Sequence, residues 1–406
     1  VRRRAAMTLL SVEEALARVV ERAELTAGEE VGLLDAPGRV LAAPLAAGHD
    51  QPPFAASAMD GYAVRSADLV RLPARLGVIG QAAAGRGFAG CVGTGEAVRI
   101  FTGAPVPRGA DAVVIQENTR VEGDTVLVAK GVPDSEHVRR AGLDFRRGDT
   151  LLMPPLRLGT REIALAAAMG HAHVPVRRKP RVAILATGDE LVLPGTPPAA
   201  DRIVCSNAFG IAALVSQAGG AVDFLGIARD TPEDLAAKSD AGRAADILVT
   251  IGGASVGDHD LVAPVLQARG LKLAFWKIAL RPGKPLMFGT RGSQHVLGLP
   301  GNPVSALICA RIFLVPLIWR MLGLPETETQ MLRGRLAVAV EANGPRRHYM
   351  RVVLEPTADI PMVRPISSQD SSLLKPLAAA NALLVRPPDA RALPAGTEVS
   401  VLPIDF

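Results

Sequence analysis

The spacing of hydrophobic residues divides the first half of the chain into regions of different period. Ser11–Leu25 has helical apolar spacing behind a Ser11-x-x-Glu14 capping box, which predicts a helix. From about Leu69 to Lys130 short runs separated by glycines predict β-strands: ARLGVIGQ, EAVRIF, ADAVVIQ and DTVLVAK. A helical pattern returns around Asp149–Gly170. We therefore expect a β-rich domain, Ala47–Arg146, inserted into or projecting from a helical one.

After Pro180 strand and helix patterns alternate. The apolar runs RVAILATG, VDFLGIA, DILVTI and LKLAFWKI predict strands, and the first is of the kind that is buried on both faces of a parallel sheet. Ser206–Gln217, a segment opening with Thr231-Pro-Glu-Asp, and Asn302–Leu322 predict helices. This alternation predicts a doubly wound α/β domain. Beyond Pro325 the runs GRLAVAVEA, HYMRVVLEP, NALLVRPP and EVSVLP predict a small β-barrel or sandwich.

Composition narrows the class of protein. The 406 residues are 49% hydrophobic and 21% charged, which indicates a soluble globular protein of two to four domains. Aromatic residues make up 3% and the net charge is +5 from scattered basic residues, which disfavours nucleic-acid binding. Cys91, Cys205 and Cys309 lack metal-ligand or disulfide spacing, which suits a reducing cytoplasm. Charged residues interrupt the apolar run Leu307–Leu324, so we expect a buried helix and no membrane span.

One local bias concerns lysine. Only seven of the 45 basic residues are lysines, yet Lys272, Lys277 and Lys284 fall within one short segment. In an arginine-rich chain this clustering indicates that a compact ammonium is needed there. The alternative is chance clustering on a solvated surface.

Chemically active residue types follow the predicted strands. In an open α/β sheet ligands bind outside the carboxyl ends of the strands. The strand ends carry Thr187-Gly-Asp189-Glu190, Arg229-Asp230, and a glycine loop, Gly252–Asp260, with Ser255, Asp258 and Asp260. The segments Trp276–Pro285 and Leu299–Pro303 add cations and further glycine turns. Helix capping, helix-dipole complementation or turn formation would explain any one of these features alone.

Together these features predict phosphoryl or nucleotidyl chemistry. Glycines between a strand and a helix let backbone N–H groups approach an anion. Carboxylates beside a phosphate require a hard cation between them, and Mg²⁺ prefers such oxygens. Neither a Walker A sequence nor G-x-G-x-x-G is present to define the class further.

A serine hydrolase is the competing interpretation of the glycine loop. Gly253-Ala-Ser255-Val-Gly257 fits G-x-S-x-G, and His295 and His348 lie downstream. However, Asp258 and Asp260 would place negative charge where an oxyanion must develop, which disfavours acyl transfer.

Six strings resemble the MoeA family of molybdopterin molybdenumtransferases and the catalytic domain of gephyrin. They are PPFAASAMDGYAV (Pro52–Val64), RIFTGAPVPRGADAVVIQE (Arg99–Glu117), VAILATGDEL (Val182–Leu191), GGASVGDHD (Gly252–Asp260), FWKIALRPGKPL (Phe275–Leu286) and GLPGNPVSA (Gly298–Ala306). The resemblance runs from about Ser11 to Phe406. It implies an elongated, usually dimeric subunit that inserts molybdate into adenylylated molybdopterin with Mg²⁺, releases AMP and works beside other molybdenum-cofactor biosynthesis proteins.

Four domains are expected from the patterns and the resemblance together. They are a discontinuous helical linker and dimerisation domain (8–46 and 147–176), an inserted β-rich domain (47–146), an α/β molybdopterin-binding catalytic domain (177–326) and a C-terminal β-barrel-like domain (327–406).

The resemblance also implies roles for particular residues. The implied catalytic residues are Asp60, Thr102, Glu190, Asp230, Asp260, Lys277 and Lys284, with Glu190, Asp230 and Asp260 as the metal ligands. The implied substrate-binding residues are Thr187, Gly188, Asp189, Gly252, Gly253, Ser255, Arg281, Pro300, Gly301, Asn302, Arg351 and Ser371. Asp60 and Thr102 are expected to approach the site of the other subunit.

Two expectations qualify the resemblance. Molybdate is a tetrahedral dianion, which suits Lys284, Arg351 and the hydroxyl of Ser371. Arg281 stands where the family often has lysine, so a planar fork replaces a point donor. The alternative to turnover is a pterin-binding or scaffolding protein. We expect no long linker or extra domain before Ser11 of the kind that gephyrin has, which disfavours that alternative.

Overall fold

A computed structural model describes residues 9–129, 137–197, 199–253, 261–325 and 331–404. The chain divides into two compact units. Unit 1 comprises Val1–Glu29, Gly38–Val40 and Arg177–Phe406, and unit 2 comprises Glu30–Pro37 and Leu41–Val176. The finer division into four domains remains a prediction.

The helices and strands of the described residues are as follows. The helices are α1 (Val12–Val20), α2 (Thr160–Ala168), α3 (Asn207–Ala218), α4 (Pro232–Ala241), α5 (Val262–Ala268), α6 (Pro303–Cys309), α7 (Val315–Leu322) and α8 (Leu374–Ala379). The first strands are β1 (Gly28–Gly32), β2 (Leu45–Ala46), β3 (Ala56–Ser57), β4 (Gly61–Val64), β5 (Ala74–Ala82), β6 (Glu96–Ile100), β7 (Ala112–Ile115), β8 (Thr119–Glu122), β9 (Thr125–Val128), β10 (Val138–Arg139), β11 (Thr150–Leu152), β12 (His173–Arg177) and β13 (Arg181–Thr187). The remaining strands are β14 (Leu191–Val192), β15 (Ile203–Val204), β16 (Ala221–Ala228), β17 (Ile247–Ile251), β18 (Lys272–Trp276), β19 (Leu280–Arg281), β20 (Met287–Arg291), β21 (Gln294–Leu299), β22 (Leu332–Leu336), β23 (Arg347–Glu355), β24 (Met362–Pro365), β25 (Ala382–Arg386) and β26 (Glu398–Pro403).

Unit 1 contains the predicted α/β sheet. The strand order of its described residues is β16-β13-β17-β21-β20-β18, and β16, β13, β17 and β21 are parallel. Alternate residues of β13 enter opposite cores, because successive side chains of a strand point to opposite faces. One core includes α3 and α6, and the other includes α4 and α5. The doubly wound prediction is therefore confirmed.

A hairpin separates the fourth predicted strand from the other three. β20 is antiparallel to both β21 and β18, so the LKLAFWKI strand lies at the sheet edge. β17 pairs in parallel with β13 on one side and with β21 on the other, and β21 ends at the Leu299–Pro303 turn. This order brings that turn next to the glycines that follow β17.

The long apolar helix after Asn302 is a core element of unit 1. It comprises α6, a π-helical turn at Ala310–Leu314 and α7. Pro303–Leu322 is long and apolar enough to cross a membrane: an 18-residue stretch within it has a mean hydropathy of 1.8, but 94% of that 18-residue stretch is buried within the protein. The prediction of a buried helix is confirmed.

The C-terminal strands close into a barrel. In the described residues β23, β24, β22, β26 and β25 pair in sequence, and β25 pairs back to β23. The predicted run GRLAVAVEA is strand only as far as Leu336, and β24 was not predicted. β19 pairs in parallel with β23, with Arg281 opposite His348. The segment that connects β18 to β20 of the α/β sheet is thus attached to the barrel.

Unit 2 contains the predicted β-rich region. The described strands form a sheet in the order β7-β4-β6-β5-β9-β8, and they include the four runs identified from the sequence. Helix α2 lies within the predicted helical return, beginning at Thr160.

Substitution of Gly61 is expected to destabilise unit 2. A Cβ at Gly61 would clash with the main chain of Val114, whose carbonyl carbon would lie 2.8 Å away. Overpacking typically costs 1–3 kcal/mol, so Gly61→Ala should lower the free energy of unfolding by about 3 kcal/mol in urea titrations. Gly77→Ala in β5 of the same sheet is the control, because its Cβ would meet only Gly95 O at 3.9 Å. Equal stability of the two variants would contradict this account of the sheet.

Candidate active-site cleft

A cleft of about 850 Å³ opens in unit 1 at the carboxyl ends of the parallel strands. The predicted site residues that line it are Thr187, Gly188, Glu190, Asp230, Gly252, Gly253, Arg281, Lys284, Pro300, Gly301, Asn302 and Ser371. They come from the ends of β13, β16, β17 and β21, from β19 and the segment after it, and from the C-terminal region. Ser255, Asp258 and Asp260 lie outside the described residues.

The acidic wall of the cleft follows β13 and β16. Thr187 is buried, and its hydroxyl donates to the carbonyl oxygen of Ile251 at 3.3 Å, which ties the ends of β13 and β17 together. Glu190 and Asp230 are exposed and line the cleft. Asp189 is not among the described lining residues; its carboxylate accepts the Asp230 N–H at 3.4 Å. Asp189 therefore contacts the neighbouring loop that carries Asp230.

Two glycine turns approach each other at the floor of the cleft. Gly252 has φ +94°, and its N–H donates to Leu299 O at 3.1 Å. A Cβ at Gly252 would come within 2.8 Å of Thr187 O, so this position needs glycine for both conformation and space. A Cβ at Gly301 would stand 3.7 Å from the Gly252 Cα.

The basic segment has an unusual backbone conformation at its first lysine. Lys277 has φ +78°, a left-handed conformation that is rare outside glycine, and it is not among the described residues that line the cleft. Its N–H donates to Leu286 O at 3.0 Å. Arg281 and Lys284, further along, are exposed on the cleft surface.

Ser371 is held in the cleft by the glycine turn before α6. Its hydroxyl accepts a hydrogen bond from Asn302 Nδ2 at 2.9 Å, and its carbonyl accepts the Val304 N–H at 3.0 Å. Arg351 lies behind this segment with 1% exposure. Its guanidinium donates to the carbonyl oxygens of Leu373, Ser368 and Asp370. The guanidinium of Arg351 therefore binds the main chain of the loop that carries Ser371, and Arg351 does not line the cleft.

Asp60 and Thr102 lie together in unit 2. The Thr102 N–H and hydroxyl both donate to Asp60 Oδ1, each at 2.8 Å. These two bonds, with a smaller contribution from Arg99, lower the pKa of Asp60. The structure brings this pair together within unit 2, and the expected approach to another subunit remains a prediction.

Several cleft residues were missed by the sequence analysis. Arg346, Asn207, Gln369 and Asp370 all line the cleft. Asn207 begins α3 and donates from Nδ2 to Gly301 O at 2.7 Å. The cluster of arginines in RRHYMR, where β23 begins, was the available signal for Arg346. The other three show no pattern that separates them from ordinary loop and helix-start residues.

The donor set of the acidic wall fits magnesium. The described residues hold no group of three His, Cys, Asp or Glu side chains arranged for a metal ion. Glu190 and Asp230 do line one cleft. Mg²⁺ is usually held by one or two carboxylates and takes its other ligands from substrate phosphates and water, so this pair is sufficient in chemical type.

The pKa of a buried histidine is affected by the positive charge of the cleft wall that carries Arg281 and Arg346. His348 is 6% exposed, and its pKa is lowered to about 4. Burial is the largest cause, followed by the positive charges of Arg281, Arg346, Arg351 and Arg386. Because desolvation and nearby cations both disfavour the imidazolium, His348 is neutral beside this wall.

Three family models match consecutive parts of this chain. Residues 10–170 match the MoeA N-terminal region (domain I and II), residues 183–320 match a probable molybdopterin binding domain, and residues 333–404 match the MoeA C-terminal region (domain IV).

Named relatives match nearly the whole chain. A Nostoc sp. molybdopterin molybdenumtransferase is 38% identical over 92% of this chain and 88% of its own length. The enzyme of that name from Bacillus subtilis is 32% identical over 97% and 94%. A crystal structure of the Pyrococcus horikoshii molybdopterin biosynthesis MoeA protein superposes with a TM-score of 0.85 at 33% identity, covering 98% of this chain and all of that one.

The neutral state of His348 predicts a loss of stability in acid. Between pH 6.5 and about 4 the unfolded chain binds a proton at this position that the folded chain does not. The free energy of unfolding should therefore fall as the pH decreases through this range, by on the order of 3 kcal/mol from His348 alone. In urea titrations at pH 7 and pH 4.5, His348→Gln should show a smaller fall than the unaltered protein. An exposed-site control, His173→Gln, should retain the full fall; a full fall in His348→Gln would contradict the assignment.

Proposed function

This chain belongs to the MoeA family of molybdopterin molybdenumtransferases, enzymes of molybdenum cofactor biosynthesis, and from that premise we propose the reaction that its cleft catalyses. The proposed reaction is the Mg²⁺-dependent insertion of molybdate into adenylylated molybdopterin, with release of AMP and formation of the molybdenum cofactor. The observation that carries the proposal is the meeting of carboxylates, glycine turns and cations in one cleft of unit 1.

The glycine turns and cations would bind the anionic parts of the substrates. The turns at Gly252–Gly253 and Pro300–Asn302 line the floor of the cleft, where closely approaching backbone can accommodate a phosphate or pterin. Lys284 and Arg281 supply charge-assisted hydrogen bonds to oxyanions. Ser371 adds a hydroxyl whose position is fixed by Asn302.

The carboxylates would act in the cleavage of the adenylyl phosphate bond. Glu190 and Asp230 would hold Mg²⁺, with Asp260 as the third proposed ligand. When bound, this ion would neutralise negative charge that develops as the phosphate bond is cleaved. A carboxylate oxygen of this pair that does not hold the ion would orient a water for attack on the adenylyl phosphorus and accept its proton, while the bond from that phosphorus to the molybdopterin phosphate breaks and AMP leaves.

Lys277 has a proposed role in the same charge neutralisation. Its left-handed backbone costs conformational energy, and such conformations are concentrated at functional sites. The main-chain bond to Leu286 holds this conformation where the chain leaves β18. The strained backbone therefore supports a role for this lysine side chain.

The proposal extends to assembly and location. A homodimer would allow Asp60 and Thr102 of one subunit to serve the cleft of the other. The hydrogen-bonded geometry of this pair keeps the Asp60 carboxylate ionised and oriented. Widely spaced free cysteines suit a cytoplasmic enzyme. Other proteins of molybdenum cofactor biosynthesis would supply the adenylylated substrate and accept the product.

Glu190→Gln tests the central step. The protein, Mg²⁺, molybdate and adenylylated molybdopterin are mixed, and AMP release is followed by chromatography. Glu190→Gln should slow release by about 100-fold, because a charge that acts in the transition state is removed. Glu233→Gln, an exposed acid in the first turn of α4, is the control and should leave the rate unchanged. An unchanged rate for Glu190→Gln would contradict the assigned role, and tight binding without AMP release by the unaltered protein would favour a scaffold.

Lys277→Gly separates backbone strain from side-chain chemistry. Glycine adopts φ +78° without penalty, so the variant should be at least as stable as the unaltered protein in thermal unfolding. It should nevertheless release AMP about 10-fold or more slowly, because the ammonium is lost. Full activity in this stable variant would eliminate the proposed role of the lysine side chain.

A further inference from the structure

Arg346 lies on the cleft wall at the start of the C-terminal barrel. It immediately precedes β23, lines the cleft, and donates from Nη1 to Leu280 O at 3.4 Å. The parallel pairing of β19 with β23 places Leu280 opposite Arg347 and Arg281 opposite His348. Two arginines from distant parts of the chain, Arg281 and Arg346, therefore stand at the same edge of the cleft.

The cations of this wall are not neutralised by the described carboxylates. Among the described residues, no Asp or Glu forms an ion pair with Arg281, Lys284 or Arg346. Asp370 also lines the cleft, but its Oδ1 accepts hydrogen bonds from the Ser372 N–H at 2.9 Å and the Ser372 hydroxyl at 2.8 Å. The wall thus has an excess of positive charge facing the cleft.

We infer that Arg346 is an oxyanion-binding residue of this cleft, acting with Arg281 and Lys284 on one tetrahedral oxyanion. This inference rests on the proposed function, which supplies two such groups, molybdate and the adenylyl phosphate. An arginine presents several N–H donors in a planar fork, so two arginines and one lysine can bind several oxygens of a tetrahedral ion at once. The Leu280 contact uses one Nη1 donor and fixes the direction of the guanidinium.

His348 provides an independent readout of occupancy. It is buried beside Arg281 in the strand pairing, and Arg281 and Arg346 are among the cations that hold its pKa down. An oxyanion bound to these two arginines offsets their charge and raises the pKa of His348. Loss of Arg346 raises that pKa in the free protein as well, and it reduces the further rise caused by the anion.

The binding test uses molybdate alone and, in a separate arm, AMP as the phosphate probe. Isothermal titration calorimetry is carried out on the unaltered full chain and on its three variants, Arg346→Ala, Arg346→Lys and Arg364→Ala. Arg364 is the control, because it is an exposed arginine of β24 paired with Glu355. Arg346→Ala should weaken binding at least about 10-fold in one arm, and the arm affected identifies the oxyanion. Arg346→Lys should lose less, and Arg364→Ala should bind as the unaltered protein does.

Nuclear magnetic resonance separates a binding role from a structural one. The His348 ring signal is assigned by its loss in His348→Gln, and its pKa is measured with and without the ligand affected above. In the unaltered protein the ligand should raise this pKa, and in folded Arg346→Ala the rise should be smaller. Unchanged affinity for both molybdate and AMP in Arg346→Ala would overturn the inference, as would a ligand-induced rise equal to that of the unaltered protein.

Failure of the proposed function would give a different result. If the unaltered protein released no AMP from adenylylated molybdopterin but its oxyanion affinity still depended on Arg346, the reaction would be wrong and the binding role correct. If AMP release was normal and oxyanion affinity was independent of Arg346, the reaction would stand and the binding role would be wrong.

Discussion

The cleft depends on the main-chain pairing of two residues, Leu280–Arg281, with the first residues of β23. This pairing attaches the basic segment of the α/β region to the C-terminal barrel. It brings Arg346 to the wall formed by Arg281 and Lys284, and it places His348 beneath them. The positive charge is concentrated because these side chains share an edge, while their desolvated neighbour is an imidazole that stays neutral.

The opposite side of the cleft depends on the parallel sheet. Parallel pairing of β16, β13, β17 and β21 aligns their carboxyl ends, so the loops that follow must converge. Acids follow β13 and β16, and glycine turns follow β17 and β21. Apolar residues buried on both faces maintain the sheet, whereas the cleft residues lie beyond its last apolar positions. A cation, a phosphate and an oxyanion can thus be bound within one cavity without placing charge in the core.

Much of this arrangement could be predicted from sequence because its signals are local. Hydrophobic period indicated the α/β sheet, and residue type after each strand indicated Glu190, Asp230 and the glycine turns. Long-range contacts were not predictable in the same way. No local pattern predicts the hydrogen bond from Asn302 to Ser371 or the hydrogen bonds from Arg351 to backbone carbonyls. Nor does any local pattern predict that β20 lies between β18 and β21 in the sheet. These features depend on pairing between segments far apart in the chain, which strand propensity does not specify.

The central claim is that the molybdate-binding and nucleotide-binding parts of the reaction share this one cleft. Crystals soaked in molybdate, with data collected at the molybdenum absorption edge, test it most directly. The account predicts an anomalous peak within hydrogen-bonding distance of Lys284 and of at least one cleft arginine, in the same cavity as Glu190 and Asp230. A fully occupied peak elsewhere on the protein, with none in the cleft, would contradict it.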